Sequence, residues 1–314
     1  MEKYNHGSYP TMVTPYLSDG SVDYETLKKM VRWYHNNGCA GIFSVCQSSE
    51  IFFLSVEERA KINKTVYDET QKIASEGGRK MTIVSSGHVS DTIEEQAKEL
   101  NAVINSGTDA LILITNRLAR EDESDDVFIE NAEKLLSLLP DDIALGFYEC
   151  PYPYKRLLTD KILRWCVEKK RFRFIKDTCC DADEIKKRLD LLDGSGFLLF
   201  NANCQTLLST LRNGGAGYCG IMANYHPRLY AWLCENFERE KEKAEVLSSL
   251  LCTAGFTENG LPYPLSAKYH FNLEGIKMEL TTRKPNGGEV TPYCKSCIEQ
   301  LKTITDYIEK TLLG

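Results

Sequence analysis

Residues 142–151 read D-I-A-L-G-F-Y-E-C-P, and residues 172–177 read F-R-F-I-K-D. Each is an apolar run of strand length that ends in one reactive polar side chain, Tyr148 in the first and Lys176 in the second. The segment between them, 156–168, has the spacing of an amphipathic helix. Two apolar strands joined by such a helix form a βαβ unit, which implies parallel neighbours.

The same unit recurs outward in both directions. Towards the N-terminus, an apolar stretch over 9–16 is halted by Pro15, and Asp23 caps a helix closed by Gly38. Strand 39–45 follows, then C-Q-S-S-E (46–50) and a helix capped by Ser55. Strand 81–87 leads to helix 92–106, capped by Ser90 or Asp91. Strand 109–115 leads to a helix over about 125–139. Towards the C-terminus, Asp181 or Asp183 caps helix 183–192. Strand 197–201 precedes helix 203–212, and strand 216–221 precedes a helix starting near Pro227. The repeat, about 25–35 residues long, occurs eight times. Near-continuous apolar strands alternating with helices predict a parallel α/β sheet, and eight units predict a closed (β/α)8 TIM barrel. Residues 1–236 form the barrel in this reading. Residues 237–314 add three helices as a C-terminal helical extension packed on it.

Bulk composition agrees. The chain has 314 residues, of which 42% are hydrophobic and 26% charged, as in an ordinary globular protein. A net charge of −7 without a basic stripe argues against nucleic acid as a partner. No apolar run is long enough to span a bilayer, and residues 1–10 carry no apolar signal region, so a cytoplasmic location is expected. The 12 cysteines are then reduced thiols, mostly small buried residues. Cys294 and Cys297 form a lone C-x-x-C without a second pair, and no metal site is expected.

In a barrel of this kind the chemistry sits where the strands end. That restricts the candidates to Thr14, Gln47, Ser48, Ser49, Glu50, His88, Thr115, Asn116, Tyr148, Lys176, Asn201 and Asn224. Lys176 and Tyr148 stand out, because adjacent strands would set them side by side. An amine held among apolar walls rather than in water is biased towards its neutral form, which attacks carbonyls to give a Schiff base. A phenol beside it can shuttle protons. In C-Q-S-S-E, Ser48 and the backbone N–H groups of the turn can hold a carboxylate, while Glu50 is better suited to accepting backbone hydrogen bonds.

Taken in order, these segments resemble the dihydrodipicolinate synthase/N-acetylneuraminate lyase family of class I pyruvate-dependent aldolases, over residues 8–275. The matching segments are M-V-T-P-Y-L-S-D-G, C-Q-S-S-E-I-F-F-L-S-V-E-E-R, Y-E-C-P, F-I-K-D and N-G-G-A-G-Y-C-G-I-M-A-N-Y-H-P. The resemblance implies that Lys176 is the Schiff-base lysine and Tyr148 the catalytic tyrosine. It implies that Ser48 relays protons and helps bind the pyruvate carboxylate. Gln47, Ser49 and Cys219 would line the substrate pocket. It further implies a 2-oxo acid and an aldehyde as partners, no cofactor, and a homo-oligomer, tetramer or dimer. The reaction would cleave or form a C–C bond in a 4-hydroxy-2-oxo acid. The alternatives are a sugar-acid dehydratase using the same lysine imine, and a non-catalytic 2-oxo-acid-binding paralogue. The sequence departs from the family's pattern at Gln47, which replaces a threonine, and at Cys46 and Ser49, which replace glycines. It also lacks the Tyr-Tyr-Asn segment after strand four, reading T-N-R-L-A-R instead, and has Pro153 where the synthase has a substrate-gripping arginine.

Overall fold

The structure, a computed structural model, describes residues 4–313. Eight parallel strands alternate with helices: β1 (Gly7–Ser8), β2 (Gly41–Phe43), β3 (Thr82–Ser85), β4 (Ala110–Ile114), β5 (Leu145–Tyr148), β6 (Phe172–Asp177), β7 (Leu198–Asn201) and β8 (Gly217–Tyr218). Their order, β1-β8-β7-β6-β5-β4-β3-β2, is that of an eight-fold barrel. Closure between β1 and β2 is made by the Ala40, Phe43 and Met12 amides, which donate to Ser8, Pro10 and Phe43 carbonyls at 2.9–3.0 Å. This is the (β/α)8 architecture read from the sequence.

The first strand is shorter than the apolar stretch suggests. Pro10 and Pro15 have no N–H to give a ladder, so after Ser8 the pairing continues only as single hydrogen bonds and an isolated bridge of Thr11 with Phe43. The helices α1 (Tyr24–Asn36), α2 (Val56–Ser75), α3 (Ile93–Asn105), α4 (Asp125–Leu136), α5 (Asp160–Lys169), α6 (Ala182–Leu192), α7 (Leu207–Arg212) and α8 (Pro227–Asn236) complete the repeats. Asp23, Ser55 and Asp181 cap α1, α2 and α6 through their side chains. The cap of α3 is Thr92 rather than Ser90 or Asp91, because the Ser90 amide and hydroxyl are taken by Glu99. Helix α5 starts at Asp160, later than expected, because Asn116 holds the preceding loop through the carbonyls of Cys150, Tyr152 and Tyr154.

Three further helices, α9 (Lys241–Asn259), α10 (Leu265–Leu273) and α11 (Pro292–Thr311), follow the eighth repeat. Between α10 and α11 the chain has no regular structure, and residues 281–285 return to the end of the barrel where the strands terminate. Inside the barrel, Tyr9, Phe174 and Phe200 pack ring to ring, with centroids 4.3–5.4 Å apart. Side chains alternate along a strand, so Lys176, two residues after Phe174, also points inward. The aromatic layer is therefore its floor. No helix among the described residues is long and apolar enough to cross a membrane.

Candidate active site

Tyr148 and Lys176 are register partners on β5 and β6. Both are buried, and Lys176 Nζ lies 3.9 Å from the centroid of the Tyr148 ring and 5.8 Å from that of Phe43. The Lys176 amine makes no ion pair or hydrogen bond among the described residues. The Tyr148 hydroxyl donates to Gln47 Oε1 at 3.1 Å. Burial, with the Cys150 and Cys46 thiols adding, raises the phenol's pKa well above its ordinary value, so Tyr148 holds its proton.

The outward neighbours of this pair are as ordered as the pair itself. Glu149 and Asp177, each one residue further along its strand, face away from the barrel axis and share the guanidinium of Arg188 on α6. Glu149 also accepts the Leu158 and Thr178 amides, both at 2.8 Å. Burial pushes its carboxyl up to about 7, opposed by Arg188 and assisted by Asp177. One arginine thus ties together the two strand ends that carry Tyr148 and Lys176.

The pair opens onto a cavity of about 610 Å3 lined by Gln47, Ser48, Glu50, Tyr148, Lys176 and Tyr263, among others. The Ser48 hydroxyl donates to Thr11 Oγ1 at 3.0 Å. Tyr263, between α9 and α10, accepts a hydrogen bond from Asn224 Nδ2 at 3.2 Å and stands beside the Ser48 and Thr11 hydroxyls. A smaller hollow of about 430 Å3 lies at the opposite ends of the strands, near Asp141, Arg171 and Leu198.

The other strand-end candidates turn into the wall. Ser49 Oγ lies 2.7 Å from Met12 O and 3.0 Å from Ser44 O, and accepts the Cys46 amide at 3.1 Å. A serine where a glycine was expected thus pins the loop from inside rather than facing the cavity. Cys219 is fully buried and does not line the cavity. Its thiol is pushed up to about 12 by burial, with Lys176 opposing. His88 is buried between Gln96 Oε1 (2.7 Å) and the Ile114 amide, which donates to Nε2 at 2.6 Å. Thr14, Thr115, Asn116, Asn201 and Asn224 all hydrogen-bond the surrounding loops.

Glu50 accepts backbone hydrogen bonds, as its position suggested, but the donors come from far along the chain. Oε2 takes the amides of Arg283 (2.6 Å) and Lys284 (3.2 Å) and the Thr282 hydroxyl (2.7 Å). Glu50 itself is in the left-handed region, at φ +63°, a conformation that such a set of bonds can hold. Nearby, Lys268 Nζ donates to Thr281 O at 2.5 Å and sits 3.6 Å from Glu50 Oε1. Burial pulls its pKa down to about 8 against the pull of Glu50. Arg283 adds a two-pronged ion pair to Glu58, with both contacts at 2.7 Å. Lys284 and Pro285 thereby become part of the cavity wall. Neither they nor Tyr263 follow from strand-end logic. The only sequence signals are the proline-flanked L-P-Y-P and the basic T-T-R-K-P in a segment without periodicity.

The fold is a (β/α)8 barrel whose strand ends open onto this cavity. The dihydrodipicolinate synthetase family model matches residues 5–115. The 4-hydroxy-tetrahydrodipicolinate synthase of Saccharophagus degradans is 26% identical over 284 residues, covering 88% of this chain and 92% of the relative. That of a Jannaschia species is 24% identical, covering 86% and 88%. Among solved structures, a monomeric dihydrodipicolinate synthase variant superposes with a TM-score of 0.85 at 17% identity, covering 97% of this chain and 98% of that one. The dihydrodipicolinate synthase of Acinetobacter baumannii complexed with pyruvate gives 0.83 at 19% identity, covering 96% and 99%. Over residues 5–115 by the family model, and over most of its length by these relatives, the chain is similar to the dihydrodipicolinate synthetase family, whose members among these relatives are class I aldolase-type carbon–carbon lyases.

Proposed function

We propose that this chain is a Schiff-base lyase that cleaves or forms the C3–C4 bond of a 4-hydroxy-2-oxo acid, with pyruvate or a related 2-oxo acid as the retained half and an aldehyde as the other. The observation that supports this best is the pairing of Lys176 with Tyr148 across β5 and β6, at the base of a large cavity and unengaged by any carboxylate.

In the cleavage direction, neutral Lys176 attacks C2 and forms a carbinolamine. Tyr148 gives its proton to the departing hydroxyl, water leaves, and an iminium remains. The tyrosinate then takes the proton of the C4 hydroxyl. The C3–C4 electron pair moves into the iminium, releasing the aldehyde and leaving an enamine. Protonation at C3 through Tyr148 and hydrolysis of the iminium return pyruvate and free lysine. The apolar floor of Phe174 and Phe200 keeps the imine in a dry, fixed setting. Gln47, bonded to the Tyr148 hydroxyl, orients the phenol. Ser48, with Thr11 and Tyr263 beside it, holds the substrate carboxylate and passes protons outward. Ser49 and Cys219 act indirectly, by shaping the loop and wall.

Release of pyruvate from 4-hydroxy-2-oxo acids of graded size tests the reading. Wild type releases pyruvate, and Lys176→Ala does not. Turnover that survives in Lys176→Ala would exclude the imine route.

A further inference from the structure

The two ends of the cavity differ in chemistry. The inner end carries the buried Lys176, Tyr148 and Ser48. The outer end is walled by Phe52, Phe53, Tyr152 and Pro285, of which Phe53 and Tyr152 are exposed. Phe52 and Tyr152 meet edge to face with centroids 5.0 Å apart, closing one side of the entrance with ring surface.

Polar groups at this outer end are few, and most are already engaged. Glu50 is occupied by residues 282–284, and the Thr178 hydroxyl donates to Glu149 O at 2.8 Å. A polyhydroxylated chain would find little here to replace its lost hydrogen bonds with water.

The exception is Lys284. Its ammonium makes no ion pair or hydrogen bond among the described residues, while its backbone is fixed on Glu50. Apart from Lys176, it is the only cation lining the cavity among the described residues. The volume of about 610 Å3 is also that of a pocket for a ligand much larger than pyruvate alone.

We infer that the aldehyde partner is a flat, aromatic or apolar aldehyde with a carboxylate remote from its carbonyl, and that Lys284 is the residue that selects for that carboxylate. The inference rests on the imine reading above and deepens it. The rings of Phe52 and Tyr152 stack against the body of the aldehyde, its carbonyl reaches the enamine on Lys176, and its acidic end meets Lys284 at the rim. Residues 281–285, held by Glu50, Lys268 and Arg283, place the selecting charge without a neighbouring strand.

The test is aldol condensation of pyruvate with benzaldehyde, 4-carboxybenzaldehyde and glyceraldehyde, in wild type, Lys284→Ala and Lys284→Arg. Borohydride trapping of pyruvate is run on each protein. The expected order of kcat/KM in wild type is 4-carboxybenzaldehyde, then benzaldehyde, then glyceraldehyde. Lys284→Ala should lose about tenfold on 4-carboxybenzaldehyde alone, chiefly in KM, and Lys284→Arg should restore most of it. Pyruvate trapping should be unchanged throughout. Trapping intact but glyceraldehyde preferred, or a carboxylate preference indifferent to Lys284, overturns this inference and leaves the imine reading standing. No adduct in any of the proteins removes both.

Discussion

Lys176 Nζ rests 3.9 Å from the centre of the Tyr148 ring, on strands whose register pairs these two residues directly. The amine therefore lies against the face of the phenol, whose hydroxyl is turned to Gln47. Tyr148→Phe keeps the ring and removes only the proton carrier. Turnover should fall by about 10² or more, while pyruvate still adds to Lys176 slowly. If Tyr263 belongs to the same relay, Tyr148→Phe/Tyr263→Phe should be no slower than Tyr148→Phe alone. Steady-state and single-turnover rates of the two variants check both points.

Arg188 holds Glu149 and Asp177 together just behind that pair, and all three are buried. Arg188→Met leaves two buried carboxylates without their cation. A loss of about 3–5 kcal/mol is expected in urea unfolding. Adding Glu149→Gln should recover part of it, since one of the two stranded charges is removed.

Glu50 ties the barrel loop to the segment that brings Lys284 to the cavity. In Glu50→Gln the charged acceptor is gone and Lys268 loses its counter-charge. We expect about 1–3 kcal/mol of destabilisation and faster trypsin cleavage after Arg283. The same variant should blunt selectivity for acidic aldehydes without blocking imine formation, which aldehyde competition and trapping can measure.

His88 gives a pH dependence of known sign. Burial lowers its pKa from 6.5 to about 4, and its Nε2 accepts the Ile114 amide only while unprotonated. A folded-state pKa below the unfolded one means that its contribution is full above pH 6.5 and is lost as pH falls from 6.5 to 4. The contribution is about 3 kcal/mol. Urea unfolding between pH 7 and 4 should therefore be steeper in wild type than in His88→Gln.

Much of this was legible in the sequence. The period of strand and helix, the caps at Asp23, Ser55 and Asp181, and the inward, paired positions of Tyr148 and Lys176 follow from local spacing, because barrel geometry converts strand-end position into site position. What was not legible depended on long-range contacts. His88 stood at a strand end like the candidates, yet its partners Gln96 and Ile114 enclose it in the wall. Ser49 occupied the expected loop but turned its hydroxyl to Met12 and Ser44. Tyr263 and Lys284 reach the cavity from segments with no periodicity, and Glu50 meets its donors 232 to 234 residues away.

The most direct test of the central claim is borohydride reduction in the presence of pyruvate, followed by peptide mapping. The account predicts one reduced pyruvyl adduct per chain, on the peptide containing Lys176, absent in Lys176→Ala. An adduct on another lysine, or none with pyruvate or any larger 2-oxo acid, would contradict it.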